Sequence, residues 1–270
     1  MKRVFLSILS LFVINSVSAS INMDYNNGIY HFVLSGDKIK KEIQFVSSAN
    51  LITNKEIHNN TQSLLTINAG FFDPKNQKTI SYVVNEYQTL EDPIFNENLM
   101  LNPVLRKNLK SILNRTEFRV LDCDSKLKYE IAQHNSKVDF LCSIKTSAQG
   151  GPQLLPNLRL EEEFFIVKDK DGNIIRESAS VLHKTARTLI GLKSTNKGEQ
   201  EVHIFIVTNE NPIDIYEARD LCASYHLDSA MAFDGGSSTS LNYKNLNVIS
   251  TQDSQDTGRV LKSFMIIKKK

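Results

Sequence analysis

The sequence lacks the charge imbalance that nucleic-acid-binding proteins carry. Its 32 basic and 30 acidic residues leave a formal net charge of +2. The basic run at the chain end, Lys268-Lys269-Lys270, is typical of a solvated terminus, so no nucleic-acid partner is predicted. Hydrophobic residues make up 41% of the 270 residues, which is enough for a sizeable core and argues against disorder.

Long apolar runs are also scarce. After the N-terminus, no stretch approaches the ~20 apolar residues that a membrane-spanning helix needs. At the N-terminus, Lys2 and Arg3 precede an apolar run over 4–14, and Val17-Ser18-Ala19 supplies small residues. We therefore predict a secretory signal peptide over 1–19, cleaved after Ala19. The mature protein is expected in the periplasm or medium, with no stable membrane insertion.

Cysteine is rare, and the three cysteines allow one disulfide and one free thiol. An exported protein meets oxidising conditions, which permit disulfides. Cys123 and Cys142 lie near each other in a polar region, and we predict a bridge between them. Cys222 falls on a predicted apolar helix face with Ile215, which indicates a buried, inert thiol.

The usual signatures of metal and nucleotide chemistry are missing. The six histidines show no zinc spacing, so no metal site or other cofactor is predicted, and the role of a divalent ion is left open. Asp169–Asn173 resembles the start of a calcium loop, but Ile174 and Ser180 occupy the positions that need Gly and Glu. The glycines after Asp234 have neither the spacing and lysine of a P-loop nor a Gly-x-Ser-x-Gly pattern.

Strand patterns recur along the chain, with no internal repeat or low-complexity linker. Strands are predicted at 29–34, 43–48, 64–67, 202–207, 229–233 and 263–267. The segment 202–207 is apolar on both faces apart from His203, which is typical of a strand buried between two layers. An Asp-Gly turn at 169–173 predicts a further hairpin.

Two helices are predicted among these strands. Asn102 and Pro103 can open one that runs to about 114, and Asp214 and Glu217 form a capping box for one that runs to about 225. Strand, helix and strand over 202–233 indicate a βαβ unit. We therefore expect one α+β domain over 20–270, with a mixed β-sheet core and flanking helices.

One stretch concentrates polar groups at the end of a predicted strand. Asp234 follows the strand 229–233, and Gly235 and Gly236 remove side chains where the backbone must bend or approach a ligand closely. The next residues carry hydroxyls: Ser237, Ser238, Thr239 and Ser240. Such a turn can donate to phosphate or sugar oxygens, with Asp234 as base, nucleophile or charge stabiliser. A solvent-exposed turn is the alternative interpretation.

Three further segments place polar residues at strand ends or turns. They are Asn-Ala-Gly-Phe-Phe-Asp at 68–73, Gly-Gly-Pro-Gln-Leu-Leu at 150–155 and Arg-Thr at 187–188. A strand that runs into a glycine-bearing turn is a good place to present side chains, as at 68–73. Arg187 can form bidentate bonds to a phosphate, with a surface ion pair as the alternative.

Four motifs together, in order, resemble the phosphodiester glycosidase family. They are Ile67–Asp73 (INAGFFD), Gly150–Leu155 (GGPQLL), Arg187–Leu192 (RTLIGL) and Ala232–Thr239 (AFDGGSST). The closing segment 258–267 is similar to the family's last arginine-then-strand segment. The resemblance covers roughly 64–267, and bacterial members of the family are often described as exopolysaccharide-related proteins.

The resemblance implies a reaction and a site. In this family a sugar-1-phosphodiester is cleaved between the anomeric carbon and the phosphate oxygen. The leaving group is a phosphate monoester, which needs less general-acid help than an alcohol. The resemblance implies that Asp234 acts as nucleophile or base, that Arg187 holds the phosphate and that Arg259 is a second cation. The other implied substrate contacts are Asn68, Gly70, Phe71, Gly151, Thr188, Gly235, Gly236, Ser237 and Ser238.

The chain departs from the family pattern in two places. Ser237 stands where the family usually has a third glycine, and 211–214 replaces the usual Gly-x-Thr before the last helix. We expect an exported hydrolase that cleaves a sugar-1-phosphodiester bond in an envelope or extracellular glycan. Two alternatives stay open: a non-catalytic glycan-binding envelope protein, and a glycosidase or lyase that acts on non-phosphorylated polysaccharide. The oligomeric state is not predicted.

Overall fold

A computed structural model of the chain describes residues 20–36, 42–250 and 258–268. The predicted signal peptide at 1–19 lies outside the described residues. Strands hold 47% and helices 16% of the structure. The expected sheet core with flanking helices is therefore present in a sheet-rich form, and the balance of an α+β fold is not.

Three sheets and one hairpin contain the strands of the described residues. Sheet I has the order β1 (Ser20–Asn26), β2 (Ile29–Ser35), β14 (Gln200–Val207), β13 (Arg187–Ser194), β15 (Ser229–Ala232), β10 (Gln153–Leu155). Sheet II has the order β17 (Leu246–Ile249), β16 (Ser240–Tyr243), β4 (Ser63–Asn68), β18 (Leu261–Lys268), β3 (Ile43–Ile52). Sheet III has the order β6 (Gln88–Glu91), β5 (Val83–Asn85), β9 (Cys142–Gln149), β7 (Thr116–Cys123), β8 (Lys126–Gln133). The predicted hairpin is confirmed as β11 (Ile166–Lys168) and β12 (Ile174–Glu177).

The strand pairs explain why the expectation of a mixed sheet is wrong. Every pairing among the described strands is antiparallel. The predicted strand–helix–strand unit exists, but β13 lies between β14 and β15 and is antiparallel to both. The two strands of the unit therefore run in the same direction without being neighbours.

In the part of the chain that the structure describes, the helices are few and short. They are α1 (Asn54–Thr61), α2 (Glu97–Met100), α3 (Leu109–Leu113) and α4 (Ile215–Ser224), with 3₁₀ turns at Pro93–Phe95, Arg106–Asn108 and Gly236–Ser238. Helix α4 starts from the predicted capping box of Asp214 and Glu217. The predicted helix over 102–114 is present only in part. The Asn102 side chain accepts from the N–H groups of Val104 and Leu105, as the predicted cap requires, but a turn and the 3₁₀ segment Arg106–Asn108 follow, and only Leu109–Leu113 is α-helical.

The core lies between the three sheets. Its largest cluster takes Phe32 from sheet I, Ile67 and Met265 from sheet II, and Phe118 from sheet III. The opposite face of sheet I packs against α4, so β14 is buried on both faces as predicted. These two layers hold the strand ends of sheets I and II in fixed positions, which the candidate site depends on.

The cysteine predictions are confirmed. Cys123 and Cys142 form a disulfide between β7 and β9, and Cys222 is a free thiol on the buried face of α4. Burial raises the pKa of the Cys222 thiol to about 12, which fits the prediction of an inert group. Within the part of the chain that the structure describes, no helix has the length and apolarity to cross a membrane.

Candidate active site

The segment 233–239 carries the chain from sheet I to sheet II. Strand β15 of sheet I ends at Ala232, and β16 of sheet II begins at Ser240. Backbone bonds attach the segment to both sheets: Phe233 donates to the Thr188 carbonyl over 2.9 Å, and Asp234 donates to the Ala69 carbonyl over 3.0 Å. The crossover therefore brings the motifs around 68, 188 and 234 together.

Asn68 joins these three motifs with its side chain. Its amide nitrogen donates to the Asp234 carbonyl over 2.6 Å, and its amide oxygen accepts from the Thr188 hydroxyl over 2.7 Å. The same oxygen accepts from the Ser240 N–H over 3.1 Å. Asn68 is buried, and its polar atoms are engaged within the protein. This arrangement fixes the backbone at Asp234.

Asp234 is partly exposed within the crossover. Burial raises its pKa to about 6. The Ser238 side chain, the positive charge of Arg259 and the Gly235 N–H act in the opposite direction and favour the ionised form. Near neutral pH the group is ionised but basic enough to take up a proton, as a nucleophile or general base requires.

Arg259 is the cation that contacts the turn after Asp234. One of its terminal nitrogens, Nη1, donates to the Ser237 hydroxyl over 2.8 Å and to the Ser238 hydroxyl over 3.1 Å. The guanidinium carbon lies 5.1 Å from the centre of the Phe72 ring, within the range of a cation–π contact. Arg259 is only half-buried, so its partners hold the guanidinium in place without enclosing it.

Arg187 lies on the other side of the crossover and is almost fully buried. Its Nε donates to the Ile213 carbonyl over 3.1 Å. Its Nη2 donates to the carbonyls of Ser180, Val181 and His183 over 2.8, 3.3 and 2.7 Å. Burial lowers the pKa of Arg187 to about 10, and Asp214 and Glu177 act in the opposite direction. Most of this guanidinium is therefore engaged by backbone carbonyls.

A small cavity adjoins Arg187 and Gly235. Its lining also includes Phe71, Gly151, Pro152, Phe165, Ala179, Val181, Ile215, Ala232 and Phe233. Ala179 and Ser180 both adopt left-handed backbone conformations, with φ of 59° and 49°. These values are uncommon for residues other than glycine, so the segment over Arg187 is locally strained.

The predicted site residues divide into three groups. Around the crossover the structure places Asn68, Thr188, Asp234, Gly235, Gly236, Ser237, Ser238 and Arg259. Phe71, Gly151 and Arg187 line the adjoining cavity together with Gly235. Gly70 is packed inside the protein, where its N–H donates to the Ser263 hydroxyl and a Cβ would lie 2.6 Å from Ser81 Cβ.

Four residues that the sequence interpretation missed support this region. Phe72 lies under Arg259, and Phe165 lies 5.8 Å from Phe71 between ring centres. Arg115 stacks over Phe165 at 3.9 Å. The buried Glu163 carboxylate accepts from the Thr116 hydroxyl over 2.6 Å and would lie 2.3 Å from a Cβ at Gly151. Nothing in the local pattern distinguishes Glu163 from its neighbours in a run of three glutamates.

Burial raises the pKa of Glu163, while its bonds to Thr116 and Gln153 and the charge of Arg115 act in the opposite direction. This carboxylate fixes the turn at Gly151 from behind. Among residues 20–36, 42–250 and 258–268, no group of three or more His, Cys, Asp or Glu is placed to hold a metal ion.

Known structures share this fold. The catalytic domain of zebrafish N-acetylglucosamine-1-phosphodiester alpha-N-acetylglucosaminidase, auto-inhibited by its pro-peptide, matches with a TM-score of 0.64 at 9% identity, over 96% of this chain and 86% of that chain. A Synechocystis protein matches with a TM-score of 0.54 at 12% identity, over 93% of this chain and 64% of its own. A Burkholderia pseudomallei protein described as exported matches with a TM-score of 0.54 at 10% identity, over 89% and 74%.

These identities are low, so the structural similarities show the fold alone. A comparison with curated protein sequences found no match. The sequence model of the phosphodiester glycosidase family matches residues 61–268, which include the four motifs and the crossover that joins them. Since the match covers most of the chain, this protein belongs to the phosphodiester glycosidase family.

Proposed function

We propose that this protein is an exported hydrolase that cleaves the bond between the anomeric carbon and the phosphate oxygen of a sugar-1-phosphodiester. The observation that carries the proposal is that Arg259 Nη1 donates to the Ser237 and Ser238 hydroxyls in the turn that follows the partly exposed Asp234, so one crossover holds both a carboxylate and a cation. In a sugar-1-phosphodiester, positive charge develops at carbon 1 during cleavage and the phosphate is negative. The carboxylate suits the first charge and the guanidinium suits the second.

We assign to Arg259 the binding of the substrate phosphate. Its guanidinium is held by the Ser237 and Ser238 hydroxyls, and among residues 20–36, 42–250 and 258–268 it forms no direct ion pair with a carboxylate. Bidentate contact with phosphate oxygens suits this geometry. Removing one such preorganised charge typically lowers the rate by ~10²–10³.

We assign to Asp234 the reaction at the anomeric carbon of the sugar. As a nucleophile it attacks the anomeric carbon, the phosphate monoester leaves with the electrons of the broken bond, and water then releases the sugar. As a base it takes the proton of a water molecule that attacks the same carbon. Both routes need the ionised carboxylate, which the Ser238 side chain and Gly235 N–H favour.

Arg187 is assigned a supporting part. Its bonds to four carbonyls hold the 180–183 segment and Ile213 around the cavity, and its alkyl chain packs beside Gly235. Asn68 and Thr188 fix the backbone of Asp234 in the same way.

The disulfide between Cys123 and Cys142 supports export, because such bonds persist in oxidising compartments. An envelope or extracellular glycan is then the proposed source of the substrate.

The test is release of free sugar from UDP-N-acetylglucosamine or from the methyl ester of N-acetylglucosamine 1-phosphate. We expect release by the wild-type protein, at least 10²-fold less by Asp234→Asn, and normal release by the matched control Asp171→Asn in the exposed β11–β12 turn. Equal release by Asp234→Asn and wild type would refute the assignment. Binding of both compounds without release would instead indicate a non-catalytic glycan-binding protein.

A further inference from the structure

The segment 92–110, between β6 and β7, carries large apolar side chains on the surface of the molecule. It contains the 3₁₀ turn Pro93–Phe95, α2 and the 3₁₀ turn Arg106–Asn108. A soluble protein rarely exposes several large apolar side chains together unless they contact a partner. Four of them are exposed here: Ile94 by 46%, Phe95 by 72%, Leu101 by 78% and Val104 by 69%.

Buried residues between these four hold the segment in place. Pro93, Asn96 and Leu99 are all buried. The Asn96 Oδ1 accepts from the Leu99 N–H over 3.2 Å and from Asn76 Nδ2 over 2.9 Å, and its Nδ2 donates to the Thr79 carbonyl over 2.9 Å. The exposed side chains therefore alternate with fixed anchors, so the fold itself keeps them on the outside.

The exposed apolar side chains also lie close to one another. Helix α2 is a single turn, and the Leu101 N–H donates to the Glu97 carbonyl over 2.9 Å, which brings Leu101 beside the start of that turn. Leu101 lines the same surface cavity as Asn96. Val104 follows in the turn that the Asn102 side chain caps. We call the four exposed residues at 94, 95, 101 and 104 the apolar patch.

Basic side chains follow the apolar patch along the chain. Arg106, Lys107 and Lys110 are exposed, and none of them forms an ion pair with another residue that the structure describes. Cations beside exposed apolar side chains suit the surface of an anionic bilayer. The cations attract the lipid headgroups, and the apolar side chains enter the boundary between headgroups and acyl chains.

The acidic side chains nearby do not cancel this positive charge. Glu97 is paired with Lys78, which lies outside the segment. The Asp92 carboxylate caps the first 3₁₀ turn. Asp73 and Lys75, which line the cavity beside the apolar patch, carry opposite charges. The three cations after the patch are therefore available to an anionic partner.

We propose that the apolar patch and these three cations dock the protein on the surface of an anionic phospholipid bilayer, as a peripheral contact. The hairpin that carries Phe72 beneath Arg259 also supports the patch, because Lys78 Nζ donates to the Phe95 carbonyl over 3.1 Å and a β-bridge joins Phe72 to Thr79. Docking would bring the candidate active site close to glycans that are anchored in the bilayer. The inference does not depend on the catalytic assignment.

The test is flotation of the protein with lipid vesicles of two compositions, phosphatidylcholine alone and an equal mixture of phosphatidylcholine and phosphatidylglycerol. The protein used is residues 20–270, which contain every described helix and strand. This range leaves out the apolar run of the predicted signal peptide, which would bind vesicles by itself. We expect binding to the mixed vesicles that weakens as the salt concentration rises, and little binding to phosphatidylcholine alone.

Two sets of substitutions separate the apolar from the electrostatic contribution. Phe95→Ser combined with Leu101→Ser should weaken binding to the mixed vesicles at least roughly tenfold. Replacing the three cations together with glutamine should weaken it by roughly 10²-fold. Phe140→Ser is the matched control and should bind as wild type does. Phe140 is 92% exposed and lies near the Cys123–Cys142 bridge, at the end of β7 away from the segment 92–110.

The substituted side chains are all exposed, and circular dichroism checks that each variant is folded. Failure of the wild type to bind either kind of vesicle would overturn the inference. Binding that both sets of substitutions retain would also overturn it, because the contact would then lie elsewhere on the chain. An equal loss in Phe140→Ser would show that any exposed apolar side chain suffices, with the same consequence.

Sugar release from the soluble esters keeps this inference separate from the proposed function. Each vesicle-binding variant should release sugar at the wild-type rate, because the substituted residues lie outside the crossover. Vesicle binding without sugar release would support docking and leave only the reaction in question. A wild-type dimer that Phe95→Ser and Leu101→Ser abolish, without vesicle binding, would assign the patch to a second copy of the chain and overturn the inference.

Discussion

Arg187 and Arg259 lie near the same turn but differ in burial and in hydrogen-bond partners. Arg187 is almost fully buried, and backbone carbonyls engage its Nε and Nη2. Arg259 is half-buried, and its Nη1 rests on two serine hydroxyls beside Asp234. A guanidinium whose N–H groups donate to backbone carbonyls stabilises the fold and has few donors left for a ligand. A guanidinium positioned by a few hydroxyls and a ring can still receive an anion.

The comparison also shows how one fold combines rigidity with access. The Arg187 side of the crossover is closed over a small cavity, and strain at Ala179 and Ser180 is held there by the arginine. The Arg259 side leaves Asp234 partly exposed. We expect substitutions on the first side to affect stability first and substitutions on the second to affect catalysis first.

The largest effect is expected for Arg259→Ala. Loss of the phosphate-binding cation should lower kcat/KM by ~10²–10³ while the unfolding midpoint changes little, because the residue is half-buried. Sugar-release kinetics and urea unfolding check both parts. Cleavage by the variant at the wild-type rate would contradict the assignment of Arg259 to the phosphate.

Arg187→Ala should give the reverse pattern. Removing the side chain leaves buried carbonyls without donors, which should lower the free energy of unfolding by about 3 kcal/mol. Urea unfolding monitored by circular dichroism measures the loss. If Arg187→Ala keeps wild-type stability but loses cleavage, Arg187 contacts the substrate directly and the division between the two arginines is wrong.

The pH dependence tests the Asp234 side. Since the pKa of Asp234 is raised to about 6, kcat/KM should fall about tenfold per unit as the pH drops below that value. The sign for stability is opposite. A carboxyl whose pKa is raised on folding stabilises the protein when protonated and loses that contribution as the pH rises through about 6. Asp234→Asn should therefore be more stable than wild type above pH 6.

That stability difference should vanish below about pH 4, where both the folded and the unfolded wild type carry a protonated carboxyl. Thermal unfolding of both proteins across this range provides the measurement. A constant difference at all pH values would mean that the ionisation of Asp234 is not the cause.

The smallest effect is expected for Gly235→Ala, between the two arginines. Gly235 has an extended backbone with φ of −114°, which alanine tolerates. An added Cβ would lie 3.1 Å from the Ala186 carbonyl oxygen and 3.6 Å from Arg187 Cδ. We expect about 1 kcal/mol of lost stability and less than tenfold loss of kcat/KM. A larger loss of activity than of stability would place substrate directly against Gly235.

Several features were predictable because they depend on neighbours along the chain. The capping box at Asp214 and the hairpin at 169–173 are local patterns, and both are confirmed. The two-sided burial of β14 follows from its apolar run. The helix predicted over 102–114 formed only in part: Asn102 caps it as predicted, but the segment passes through a turn and a 3₁₀ segment before α3 begins.

The sheet arrangement and the roles within the site depend on residues far apart in sequence. β13 separates β14 from β15, although it precedes both, so no local pattern announces the antiparallel order. In the sequence, Asn68 is a polar residue at a strand end, and the pattern predicts that its side chain is available to a substrate. Its amide meets Thr188 and the Asp234 carbonyl only because sheets I and II come together there.

The sequence by itself determined the family, the order of its motifs, the strand that delivers Asp234 and the cysteine pair that bridges β7 and β9. Only the tertiary structure decided which arginine is enclosed and which is available. The reason is that the motifs at 187–192 and 258–267 each contain an arginine, and the groups that bind the two side chains lie elsewhere in the sequence. Arg187 donates to backbone carbonyls of 180–183 and 213, whereas Arg259 donates to the hydroxyls of 237–238.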